Sequence, residues 1–141
     1  MTARKVQRGK RARAAIQVVV AVPSPAVARR LSAALLDAEL CACAQTIGPI
    51  TSRYVWQGRR ESAREWLLLV KTRRSLFGAV ERTVRALHPY TVPEIAAITL
   101  HPVHAPYLAW LEAATTAPAR SVRRGATAKR AAPGRRPFHA A

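Results

Sequence analysis

The sequence predicts a single α+β domain: an antiparallel sheet with helices on one face. Three observations carry this. Apolar positions switch between strand and helix periodicity in the order β-α-β-β-α-β. A glycine turn, Gln57-Gly58-Arg59, joins two long extended runs. All seven acidic residues fall within residues 16–116, which marks that stretch as the folded body.

Ile16–Val22 is continuous and β-branched, as in a buried strand, and Pro23 ends it. Ser24-Pro25 is a helix start, an oxygen for the orphan amides followed by a proline whose missing N–H costs nothing there. Val27, Leu31, Ala34, Leu35 and Ala38 then recur at helical spacing to about Glu39. A strand from Cys41 to Trp56 is interrupted at Gly48-Pro49, which predicts a bulge or bend. The return strand, about Glu61 to Thr72, is apolar on both faces at its middle, so cover is expected on both sides. A second helix runs from about Arg73 to Leu87, stopped by His88-Pro89 because the residue before proline leaves the helical region. Ile95–Leu100 is a further strand. A last short helix starts at Pro106, with Tyr107, Trp110, Leu111 and Ala114 as its apolar face. The string is the ferredoxin-like, split βαβ arrangement. It leaves one sheet face short of cover, with Trp56 and Trp66 near it, and self-assembly is the economical remedy.

Charge separates the ends from the body. The chain carries 24 Lys+Arg against 7 Asp+Glu, a formal +17. Residues 1–15 hold six basic side chains and residues 117–141 hold seven, with no acid in either stretch. Both are expected to be disordered arms around a domain at 16–116, because one sign of charge and few large apolar groups cannot offset ordering entropy. Nonspecific polyanion contact at low salt is the property they imply. No apolar run approaches the roughly 20 residues that span a bilayer. Cys41 and Cys43 form no disulfide framework, and the cytoplasm is the expected compartment. An enzyme is not expected: no serine beside a base, no glycine-rich phosphate loop and no paired carboxylates within one motif stand in the sequence.

Tyr54-Val55-Trp56-Gln57-Gly58, Glu65, Lys71-Thr72, His88-Pro89-Tyr90-Thr91-Val92-Pro93-Glu94-Ile95 and Tyr107-Leu108-Ala109-Trp110-Leu111 together resemble the signature of the CutA, divalent-cation tolerance, family. The likeness runs ungapped from about Ile16 to Thr115. It implies a ferredoxin-like subunit in a tight homotrimer, similar in architecture to the PII-like signalling proteins, with Cu(II) or another divalent cation as the implied ligand. Cys43 matches the family pattern and Cys41 is extra. Val20 stands where certain members carry a cysteine discussed as a ligand.

With that resemblance, His88, Glu94 and Cys43 are the metal-ligand candidates. Imidazole suits copper and zinc, and Glu94 supplies an oxygen from the same stretch. Cys43, a water or a neighbouring subunit would complete the set. The structural alternative is that His88 caps the second helix, and from the residues alone it leads, because a His–Glu pair is a weak metal signal. Glu65 and Lys71 share a strand face about 20 Å apart, so each needs a partner elsewhere. Cys43 is expected to be a small buried hydrophobe, and Cys41 beside it offers a two-thiolate Cu(I) pair. Tyr54, Trp56, Tyr90 and Trp110 are expected to hold the trimer. The rival reading is a ligand-sensing or protein-docking trimer without metal.

Overall fold

Strand β1 (Ala15–Val22) runs through the middle of a four-stranded antiparallel sheet of order β2-β3-β1-β4 in the computed structural model, which describes residues 3–115. β1 pairs along its length with β3 (Arg59–Arg73), from Ala15↔Arg73 to Val22↔Trp66. Its other edge pairs with β4 (Ile95–Thr99), from Ile16↔Thr99 to Val20↔Ile95. Pairing at both edges makes β1 a central strand, where β-branched residues are favoured.

Helix α2 (Pro25–Asp37) begins as the sequence requires, with Ser24 Oγ accepting the Val27 amide at 3.3 Å and proline in the first turn. It ends in a Schellman arrangement: Leu40 N–H reaches Leu35 O at 3.0 Å, Glu39 N–H reaches Leu36 O at 3.0 Å, and Glu39 takes the left-handed position at φ 53°. A 3-10 turn (Arg74–Leu76) leads into α3 (Phe77–Leu87). Ala28, Leu31 and Leu35 of α2, with Leu76, Val80 and Val84, bury against Ile16, Val18, Val20, Val22, Leu68 and Val70. These strand residues share one parity, so α2 and α3 cover one sheet face.

β2 (Cys43–Trp56) pairs with β3 as a long ribbon closed by Gln57 (φ 49°) and Gly58 (φ 75°), the two positive values of a type I′ turn. The expected bend is a register shift between Ile47 and Ile50, at a cis Gly48-Pro49 bond. Glycine is needed at 48 because a Cβ there would lie 2.3 Å from Trp66 Cδ1. Helix α4 (Ala105–Ala114) buries Leu111 and packs on β3. Arg73 Nε donates to Thr115 Oγ1 at 2.9 Å, and its guanidinium also bonds to Thr115 O.

Several expectations change. Residues 3–12 are not a disordered arm but helix α1 (Ala3–Ala12), because Ala, Arg, Lys and Gln are good helix formers and no proline interrupts them. Its described side chains are nonetheless exposed. The first strand begins one residue earlier than expected, since Ala15 is buried and paired. The tail at 117–141 lies outside the described residues. Cys41 precedes β2 and is the buried cysteine, whereas Cys43 is half-buried. Tyr90 is buried within its own subunit, and Trp110 is exposed rather than part of the packed face of α4. Among the described residues, no helix is long and apolar enough to cross a membrane.

Candidate functional site

Glu65 sits on β3 opposite Ile50, where β2 resumes pairing after its bulge. It is 1% exposed, an unusual depth for a carboxylate. Tyr90, in the stretch between α3 and β4, donates its phenol hydrogen to Glu65 Oε2 at 2.9 Å. Glu65 Oε1 is buried and has no hydrogen-bond partner among the described residues. A buried carboxylate oxygen without a donor is costly, so this atom marks a place for a cation, a water or a neighbouring chain.

His88 is positioned by the end of α3: its N–H closes the helix on Val84 O at 2.8 Å, and its extended backbone accommodates Pro89. Both ring nitrogens are engaged. Nδ1 accepts the Tyr90 N–H at 3.1 Å, which assigns the proton to Nε2, donating to Ala21 O at 2.8 Å. The His88 and Tyr90 rings lie 4.6 Å apart, tilted by 51°. Burial pushes the His88 imidazole below its ordinary pKa, against the opposing pull of the Ala21 carbonyl and Glu65. The Tyr90 phenol is pushed up by burial and then by its bond to Glu65. Partial burial, and then the charge of Glu65, push the Glu94 carboxyl up. Glu65 therefore acts electrostatically on His88, Tyr90 and Glu94 alike.

Of the three ligand candidates, His88 and Glu94 come under the influence of the same carboxylate, and Cys43 does not. Cys43 pairs with Lys71, six residues along β3 from Glu65, about 20 Å away on an extended strand. Among the described residues no group of three or more His, Cys, Asp or Glu side chains is arranged to hold a metal ion. The set His88–Glu94–Cys43 thus does not fit a metal as one cluster, and His88 could ligate only by releasing a bond. The residue that sequence reasoning left without a role in the site is Glu65. Its signal was present: an acid immediately before the apolar run Trp66–Val70 of the same strand. Lys71 solves its own pairing problem differently, by bonding to Gln45 on β2.

The thiols behave as the packing dictates. Cys41 is pushed up to about 11 by burial and then by Cys43. Near the far end of the β2–β3 ribbon Val55 is 70% exposed, while the indole N–H of Trp56 is buried and unpartnered among the described residues.

Comparison with known proteins returns one family. The profile described as CutA1 divalent ion tolerance protein matches residues 16–114. The divalent-cation tolerance protein CutA of Thermus thermophilus is 45% identical over 94 residues, 67% of this chain and 91% of that protein. The mouse Protein CutA is 38% identical over 96 residues, and the chain spans 54% of its length. Among solved structures, CutA1 from Oryza sativa superposes with a TM-score of 0.71 at 36% identity, covering 73% of this chain and 94% of that one. CutA from Archaeoglobus fulgidus, described as periplasmic, gives 0.69 at 34% identity, covering 71% and 97%.

Proposed function

The chain belongs to the CutA1 divalent ion tolerance family, and from that premise we propose that it is a divalent-cation response protein whose cation-attracting group is Glu65. The observation that carries the reading is Glu65 Oε1, a buried acceptor with no partner among the described residues. Glu94, whose carboxyl is raised partly by Glu65, is the second oxygen donor. Two carboxylates whose charges oppose each other gain from a cation that neutralises both. Copper(II) is the first ion to try, with water or a neighbouring subunit completing the shell. The cytoplasm is the compartment this reading takes, and the two free cysteines suit it.

Equilibrium dialysis of the full chain against Cu(II) and Zn(II) tests it. Stoichiometric uptake is expected, lost in Glu65→Gln and weakened in Glu94→Gln. No uptake by the folded wild-type chain overturns it.

A second reading has its own support. Both His88 nitrogens are bonded inside the subunit, while Val55, Ile47, Ile98, Val92 and Trp110 lie exposed. These favour a homotrimer that offers its clefts to a small ligand or protein without metal, with the exposed apolar ribbon packed between subunits. Sedimentation as a trimer with no cation bound would select this reading.

A further inference from the structure

Helix α1 is unlike the rest of the molecule. Arg4, Lys5, Arg8, Lys10 and Arg11 are all exposed, and the helix contains no acidic residue. Arg4, Arg8 and Arg11 follow one another at spacings of four and three, so their guanidinium groups form a row along one face. Like charges at these spacings repel, and an anion laid along the row relieves that repulsion.

Basic charge is also present where α1 meets the folded body, at Arg74, whose guanidinium donates to Thr99 Oγ1 at 2.6 Å. Arg74, exposed and with its N–H bonded to Ala14 O at 2.9 Å, sits at the foot of α1. The described chain also leaves the domain here, since Thr115 is held by Arg73, the sheet partner of Ala15. The foot of α1 and the end of the described chain at Thr115 therefore meet at one corner of the sheet.

We infer that α1 and this corner form a binding surface for the phosphate backbone of double-stranded nucleic acid, made without reading base sequence. Guanidinium groups match phosphate through paired N–H bonds. Val6 is the only large apolar side chain in the helix, so α1 has no apolar face to sink into a lipid interface. It has no aromatic ring on which an unpaired base could stack, which favours the duplex over a single strand.

The test is binding of the full-length chain to a 20-base-pair DNA duplex of random sequence, measured across a salt series. Wild type should lose affinity steeply with salt. The variant R4A/R8A/R11A should flatten the slope of log K against log salt by about 0.9 per phosphate contact removed, so by roughly 2 to 3. A second variant, R29A/R82A/R85A, removes the same charge from exposed positions on α2 and α3 and should leave the slope unchanged. Equal losses in the two variants would reduce the effect to net charge and overturn the assignment, as would an unchanged slope in R4A/R8A/R11A. Phosphatidylserine vesicles bound as tightly as the duplex, with the same dependence on Arg4, Arg8 and Arg11, would make the surface a membrane contact instead and equally overturn it.

Discussion

Tyr90 and Glu65 form a buried phenol–carboxylate hydrogen bond of 2.9 Å that ties the segment after α3 to the middle of β3. Among the described residues it is the one hydrogen bond to the Glu65 carboxylate, so the fold relies on Tyr90 to offset the burial of that group. Tyr90→Phe keeps the ring and deletes the donor. It should destabilise the domain by about 1.5–3 kcal/mol, the range for hydrogen bonds to charged groups, measured as a fall in urea midpoint. A change within error would mean that another group already satisfies Glu65.

His88 makes the domain sensitive to mild acid. Its folded pKa lies below the ordinary 6.5, chiefly through burial, with Arg30 acting in the same direction and the Ala21 carbonyl and Glu65 opposing. The unfolded chain therefore takes up a proton near pH 6.5 while the folded chain does not. Stability should fall as pH drops from about 6.5 towards the lower folded value, and this part of the loss should level off below it. Denaturant titrations between pH 7.5 and 5 should show that slope in wild type and a reduced one in His88→Gln. Parallel slopes in the two would assign the effect to another group.

The two thiols should differ in reactivity. Cys41 is buried with its pKa pushed up to about 11, whereas Cys43 is half-buried. Iodoacetamide at pH 8 should label Cys43 first in the folded chain and both residues in denaturant, as read by peptide mass. Faster labelling of Cys41 would contradict its place in the core.

Gly48→Ala should distort the ribbon, because the added Cβ would meet Trp66 Cδ1 at 2.3 Å and Cγ at 2.7 Å. A loss of about 1–3 kcal/mol is expected for such overpacking. Gly58→Ala meets no atom within 4 Å and strains only the turn, so it should cost less, about 1 kcal/mol. The reverse order in thermal unfolding would place the critical contact in the turn.

Val55→Asp tests the proposed assembly. Its side chain is 70% exposed in the single subunit, so the substitution should leave the subunit fold intact by circular dichroism while shifting sedimentation from trimer to monomer. An unshifted trimer would place the interface elsewhere.

The strands and helices of the body were legible because each states its role locally. Ser24-Pro25 starts a helix, Gln57-Gly58 turns a ribbon, and the β-branched run after Ala15 demands burial on both faces. The site was legible only in part. His88 and Glu94 stand out as residue types, yet what His88 does is decided by Ala21 and Tyr90, and the Ala21 contact joins the end of α3 to β1 across 67 positions of chain, which sequence spacing does not express. Glu65 was visible as an acid at the edge of an apolar run, but its bond to Tyr90 crosses 25 positions of chain. Helix α1 was misread because composition suggests that the segment cannot pack, and packing is not required for a short run of good helix formers to coil.

The central place of β1 also bears on how the chain is made. Ile16 emerges early in synthesis, yet its neighbours in the sheet are Thr72 on one side and Thr99 on the other. A nascent chain therefore holds its most β-branched segment without a pairing edge until β3 has cleared the ribosome, and with one edge open until β4 follows. Such non-local pairing slows folding and prolongs exposure of a strand prone to association. The interval before Thr99 emerges is thus when this molecule most needs a chaperone.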